Sequence, residues 1–264
     1  MAKKKGYKGV YSDKPIEDRV ITNAVDIRQN IAQIENAMFQ HSVLCQAFLP
    51  YRNPGDDVEL WEHNQGNASL AVQTLKLKDI DTGERVSLGI PYGTRARLIL
   101  AHINSRAIIT QNPAVDVEET MTSFVKQMGI TPTGRNINDV KNQLARIAGS
   151  VLTLSYAIPE QRRTINTNFS LIKGYDLWFP KDERQRLLWT SKVVLSAEYF
   201  ESLMEHAIPL DERALAALSN NAMSLDIYTW LAQRLHRVNK VQFITWKAIK
   251  DQFGQGFTLS LIHI

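Results

Sequence analysis

Between Arg19 and Ala47 apolar side chains recur every three or four residues, at Val20, Ala24, Ile27, Ile31, Ile34 and Met38. That is the spacing of one helix face. The turn formers Pro50-Tyr51-Arg52-Asn53-Pro54-Gly55-Asp56-Asp57 interrupt it. Val58 to Trp61 and Ala68 to Leu77, joined through Asn64-Gln65-Gly66-Asn67, read as a hairpin. Asp81-Thr82-Gly83-Glu84 then turns the chain into the apolar run Val86 to Ile90.

The next stretch predicts three helices and a hairpin. Thr94 is placed to cap a helix over Arg95 to Ile109; Asp116 opens a second that runs to Met128 and stops at Gly129. Thr133-Gly134 precedes a third, from about Asn136 to Ala148, closed by Gly149-Ser150. Val151 to Ile158 and Thr164 to Leu171 carry strand patterning, linked by Pro159-Glu160-Gln161-Arg162-Arg163. Three helices followed by a hairpin is the order of a winged helix, whose third helix enters the major groove.

Further on, Leu187 to Ser196 reads as a strand and Ala197 to His206 as a helix, with Pro209-Leu210-Asp211 as a junction. Helical patterns cover Glu212 to Leu218, Leu225 to Val238 and Trp246 to Phe253, with Val241 to Thr245 as a short strand and Gly254 as a stop. Leu100-Ala101-His102-Ile103 is echoed by Leu231-Ala232-Gln233-Arg234-Leu235, and Gln127-Met128-Gly129 by Gln252-Phe253-Gly254. Counting back from the glycines, Phe124 matches Ile249 and Met121 matches Trp246. An internal duplication is the reading. The expectation is an α+β chain of tandem winged-helix units with small antiparallel hairpins, the second unit incomplete. Its segments are a basic tail at 1–18, a helix and hairpin at 19–88, a first winged helix at 89–196, an incomplete second at 197–258, and a foreign tail at 259–264.

Candidate chemistry sits on the third helix. Ile137, Val140, Leu144 and Ile147 form its apolar face; Arg135, Asn138, Asn142 and Arg146 form another, with Asn136 and Lys141 beside them. Arginine pairs with guanine, and asparagine with adenine, through groups displayed in the major groove. A solvated polar face has the same pattern; position before a hairpin favours DNA. Arg162 and Arg163 at the hairpin tip suit phosphate contacts, or an ordinary exposed loop.

Net charge is +4, the count of lysines in the first eight residues, so basicity is local. From Ile227 to Lys250 there is no acidic residue, while Arg234, Arg237, Lys240, Lys247 and Lys250 are basic. These five complete the predicted DNA-binding set; a set of solvated positions has the same pattern. Trp230, Phe243 and Trp246 read as core residues rather than base-stacking platforms. No run approaches the ~18 apolar residues of a spanning helix, and no secretory pattern opens the chain, so a cytoplasmic protein without membrane partners is expected. Cys45 is alone, which excludes an internal disulfide and a cysteine-built zinc site. The six histidines are scattered, and no phosphate-cradling glycine loop is present. No cofactor, metal or enzymatic activity is expected.

Several stretches carry a family resemblance: Phe48-Leu49-Pro50-Tyr51-Arg52, Gly89-Ile90-Pro91-Tyr92-Gly93 with Ala96-Arg97-Leu98, and Leu188-Trp189-Thr190-Ser191. Others are Leu195 to Phe200, His206 to Leu215, Leu225 to Ala232 and Trp246 to Gly254. Together they resemble plasmid-encoded replication initiator proteins of the RepA type. The resemblance implies binding of double-stranded DNA at repeated origin elements, local duplex opening, recruitment of host replication proteins and, commonly, repression of the initiator's own gene. A winged-helix transcriptional repressor and a rolling-circle nicking nuclease are the alternatives. Monomer and homodimer both stay open. The chain departs from the family in having Arg135 where a second glycine often follows Thr133-Gly134, and in not continuing past the Phe253-Gly254 turn into a further helix and strands. Leu259-Ser260-Leu261-Ile262-His263-Ile264 is also what CTG TCT CTT ATA CAC ATC encodes, DNA matching a transposon end widely used as a sequencing adaptor. The expectation is a fragment that diverges from its parent near Thr258 and cannot start replication.

Overall fold

A computed structural model of the chain describes residues 16–30, 37–78, 84–117, 121–158, 163–176 and 191–254. The described elements run in chain order as α1 (Ile16–Gln29), β1 (Ala37–His41), β2 (Leu60–Gln65), β3 (Ala68–Thr74), β4 (Lys76–Lys78), β5 (Arg85–Ser87), α2 (Gly93–Thr110), β6 (Ala114–Val117), α3 (Met121–Gln127) and α4 (Gly134–Ala148). They continue as β7 (Ser150–Ile158), β8 (Arg163–Ser170), β9 (Ile172–Asp176), β10 (Ser191–Leu195), α5 (Ala197–His206), β11 (Ala207–Asp211), α6 (Glu212–Ala217), α7 (Ala222–Leu235) and α8 (Trp246–Phe253). The result is a mixed α and β protein with small antiparallel sheets. None of its described helices is long and apolar enough to cross a membrane.

The largest described sheet has the order β2-β3-β7-β8. Gln65 pairs with Ala68, so β2 and β3 are joined by the two-residue turn Gly66-Asn67, with Gly66 at φ 53°; a positive φ at that position suits the tight turns favoured between twisted strands. Along β3 the side chains of Ala68, Leu70, Val72 and Thr74 alternate inward. β3 then pairs with β7 from Ala68↔Tyr156 to Thr74↔Ser150, and β7 with β8 from Val151↔Ser170 to Ile158↔Arg163. Two hairpins far apart in sequence are thus joined into one sheet through the β3–β7 ladder.

Helix α2 is apolar on most sides, and that is why it is central: β1, α4, α5, α7 and β6 all pack on it. Its Arg97 is buried and makes a bidentate pair with buried Asp226 of α7, Nε to Oδ1 and Nη2 to Oδ2, both at 2.7 Å. The other guanidinium donors go to the carbonyls of Leu49 (2.7 Å), Gly93 (2.8 Å) and Pro50 (3.3 Å). All five donors are therefore satisfied, the condition under which a buried ion pair is tolerated. Burial pushes the Asp226 carboxyl up from the ordinary carboxylate range, and Arg97 pulls it back.

β1 also pairs with β11, from Ala37↔Asp211 to His41↔Ala207. That ladder, the shared sheet and the Arg97–Asp226 pair cross the boundaries drawn from sequence at 88/89 and 196/197.

Several sequence expectations need correction. The N-terminal helix stops at Gln29, and Met38 lies in a strand, because β11 offers it a ladder. Asp116 does not open a helix; it lies in β6 opposite Lys192 of β10. Pro209-Leu210-Asp211 is strand, not junction. Thr94 falls inside α2, whose N-cap is Tyr92. Val241 to Thr245 forms no strand, since no partner lies alongside it among the described residues. The hairpin link at 159–162, the turn at 81–83, the strand start at 187–190, the basic N-terminus and the terminal tail lie outside the described residues.

Candidate nucleic-acid interface

Helix α4 begins where Thr133 accepts a hydrogen bond from the Asn136 amide at 3.2 Å, the usual way a threonine satisfies an open helix start. Val140, Leu144 and Ile147 are buried against the core at successive turns. Arg135, Asn138 and Asn142 are exposed on another side, with exposed Asp139 and half-buried Lys141 next to them. The spacing 135, 138, 142 keeps these three within one face.

The same arithmetic puts Arg146 on that face, and the structure moves it inward: it is 7% exposed. The segment Gly89 to Tyr92 crosses the last turns of α4 and covers it. Arg146 donates from Nη2 to Asp56 Oδ1 (2.8 Å), from Nη1 to the Ile90 carbonyl (3.2 Å) and from Nε to Asn142 Oδ1 (2.8 Å). Its guanidinium lies 5.2 Å from the Tyr92 ring centre. Gly89 sits at φ +78°, and a side chain there would collide with that guanidinium; glycine is needed on both counts. The hydrogen bond from Arg146, helped by Asn53, holds the Asp56 carboxyl below the usual range. Arg146 is therefore an internal brace for α4 rather than a surface reader.

Asn136 is likewise committed locally. It donates to the Thr131 carbonyl (2.8 Å) and accepts from Arg95 Nη2 (3.0 Å). Arg95 is absent from the set predicted by sequence; it is on α2 and reaches the start of α4, with burial drawing its pKa down and Asp139 opposing that. Its only signal in sequence is a basic residue after the Gly93 turn. Arg163 opens β8 and pairs with Ile158; its side chain, and all of Arg162, lie outside what is described.

The second basic set spans α7, the connector 236–245 and α8. Arg234 lies 5.3 Å from the Trp230 ring centre and donates to Gln242 at 2.9 Å. Arg237, Lys240 and Lys247 are exposed, and Lys250 is half-buried. Trp230 is half-buried, with Phe253 edge-on at 5.5 Å. Phe243 and Trp246, whose pattern predicts core positions, are instead 96% and 69% exposed.

These arrangements acquire a context from similarity. The family described as plasmid-encoded RepA protein matches residues 90–248. The chain belongs to the plasmid-encoded RepA family. This is a family of plasmid replication initiators, and the matched stretch holds both α4 and most of the second basic set. No curated protein matches the sequence. Among solved structures, domains 2 and 3 of RctB have a similar fold: one selenomethionine crystal structure aligns with TM-score 0.56 and 8% identity over 84% of this chain and 80% of that one. A second crystal structure of the same RctB domains aligns with TM-score 0.52 and 9% identity over 82% of this chain and 77% of that one. Two of the motifs that carry the RepA resemblance, Phe48 to Arg52 and Gly89 to Leu98, meet in space. Gly93 donates to the Pro50 carbonyl at 2.9 Å, Arg97 holds Leu49 and Pro50, and Tyr92 donates to Gln143 Oε1 of α4 at 2.8 Å.

Proposed function

We propose that α2, α3 and α4 with the β7–β8 hairpin act as a winged helix on duplex DNA, and that the protein initiates plasmid replication by binding repeated double-stranded origin elements and recruiting host replication proteins. The observation that carries this is the outward set Arg135, Asn138 and Asn142 on α4, backed by buried Val140, Leu144 and Ile147 and followed by a hairpin. Third-helix readers present their side chains to base edges in this way. The hairpin tip at Arg162 and Arg163 is assigned to the phosphates, and the basic set from Arg234 to Lys250 to a second contact on the same duplex. The family membership supports the biological setting.

Titration against origin-repeat and scrambled duplexes tests the assignment. Arg135→Ala is expected to weaken specific binding by roughly 1–3 kcal/mol and relax base preference. Neutralising Arg162 and Arg163 together is expected to weaken binding to both duplexes and flatten the salt dependence by about one to two units of slope. Equal loss on both duplexes for Arg135→Ala reassigns that residue to phosphate. An unchanged salt slope removes the hairpin from the interface.

A further inference from the structure

Asn142 faces outward on α4, yet its amide is not free to turn. An asparagine that reads adenine uses both ends of the amide, with Oδ1 accepting from N6 and Nδ2 donating to N7. Here Oδ1 already accepts from Arg146 Nε at 2.8 Å and from Gln143 Nε2 at 3.4 Å. The orientation follows from chemistry. A guanidinium has donors only, so the Asn142 atom beside Arg146 must be the oxygen. Gln143 Oε1 accepts from the Tyr92 amide at 2.8 Å, which leaves its nitrogen as the end toward Asn142. Arg146 in turn is fixed by Asp56, the Ile90 carbonyl and the Tyr92 ring, in space that Gly89 leaves open. Two donors on one carbonyl oxygen occupy both of its lone pairs.

We propose that Asn142 is a specificity residue that reads as a donor only and selects guanine. This rests on α4 being the reading helix. What remains to face the groove is the Nδ2 amino group, with two hydrogens and no acceptor. Guanine displays two neighbouring acceptors, N7 and O6. Adenine displays N7 beside the N6 amino group, which sets donor against donor; cytosine displays a donor, and thymine one acceptor beside its methyl. Arg146, Gln143, Tyr92 and Asp56 are positioning residues for that choice. The Gly89–Tyr92 segment thus sets which end of the amide reaches DNA.

The test is selection from a randomised duplex library with the full chain, comparing wild type with Asn142→Ala. The base column that loses preference in Asn142→Ala marks the Asn142 contact, and guanine is expected there in the wild type. Replacing that guanine by 7-deazaguanine is expected to weaken wild-type binding roughly tenfold and to leave Asn142→Ala unchanged. Arg146→Lys keeps the charge but removes the Nε donor, and is expected to move the column toward adenine; the other two arms decide the matter if that variant does not fold. Adenine in the wild-type column, no column altered by Asn142→Ala, or indifference to 7-deazaguanine overturns the inference alone. Failure of the wild type to enrich any sequence overturns the duplex-reading function, and this inference with it.

Discussion

The helix pair α2–α3 closes on Met128 and Gly129, and the pair α7–α8 on Phe253 and Gly254. The anchors are treated alike: Met128 and Phe253 are each 4% exposed. So are the polar residues that correspond within the first helices, His102 and Gln233, both buried. The pairs diverge a turn earlier, where Phe124 is fully buried and its counterpart Ile249 is half-buried. A turn before that, Trp246 is 69% exposed. The stops differ too. Gly129 is left-handed at φ 72°, while Gly254 keeps a helical φ of −74°, and a Cβ there would strike the Lys250 carbonyl.

What covers each pair explains the difference. α3 packs against α4, and the ring of Phe124 meets His102 edge-on at 5.2 Å. α8 packs on α7 and grips the body at its last turn, where Phe253 stacks on Phe48 at 5.5 Å and Gln252 donates to the Gln46 carbonyl at 2.7 Å. A repeated amphipathic pattern therefore specifies the anchoring turn. The burial of the turns before it depends on a neighbour that the pattern itself does not supply.

Substituting the matched pair breaks or sharpens this contrast most strongly. Phe124→Ala is expected to cost about 3–5 kcal/mol, the range for emptying a fully buried aromatic site. Ile249→Ala is expected to cost about 1 kcal/mol, since a half-buried side chain returns only some of its transfer energy. Urea midpoints of both variants give the answer. Equal losses mean that α8 is covered as fully as α3, and the contrast is gone.

The β1–β11 ladder, where it meets α5, is expected to respond to pH. His41 of β1 is buried, accepts the Val43 amide at Nδ1 (3.2 Å), and lies 3.0 Å from Ser202 Oγ through Nε2. Burial, with a smaller contribution from nearby His206, lowers its pKa from 6.5 to about 4. The unfolded chain therefore binds the proton first as pH falls, and stability drops between pH 6.5 and about 4. At pH 5 the loss relative to pH 7 is about 2 kcal/mol. His41→Gln, which cannot titrate, is expected to flatten that stretch of the urea-stability profile. An equal slope in the variant removes His41 as the cause.

Local signals carry much of this fold. α5 and α8 match the predicted Ala197–His206 and Trp246–Phe253, and α4 begins at the Thr133 cap and ends before Gly149. β1 is illegible in sequence because a strand of five residues is defined by β11, a partner in the other half of the chain. Arg146 is misplaced by its spacing for a related reason. Periodicity gives an angle around the helix axis, but not whether a distant segment such as Gly89 to Tyr92 lies across that angle. Asp56 and Tyr92 give no sign in sequence of bearing on α4, although Gly89-Ile90-Pro91-Tyr92-Gly93 stands out as a motif.

The smallest expected effect tests the exposed end of the comparison. Val241, Phe243 and Thr245 alternate as a strand would, yet Val241 is 86% and Phe243 96% exposed. A side chain that touches so little forfeits almost no burial when it is shortened. Phe243→Ser is therefore expected to shift stability by no more than about 0.5 kcal/mol, roughly an order of magnitude below Phe124→Ala. Its effect belongs instead to association, because Phe243 adds apolar surface close in sequence to exposed Val241 and Trp246. Sedimentation of wild type and variant at matched concentration measures that component, and urea unfolding measures the other. A stability loss above about 1 kcal/mol requires contacts on Phe243 that only burial provides. In that event the connector between α7 and α8 is covered in solution, and the two helix pairs differ less than their exposures indicate.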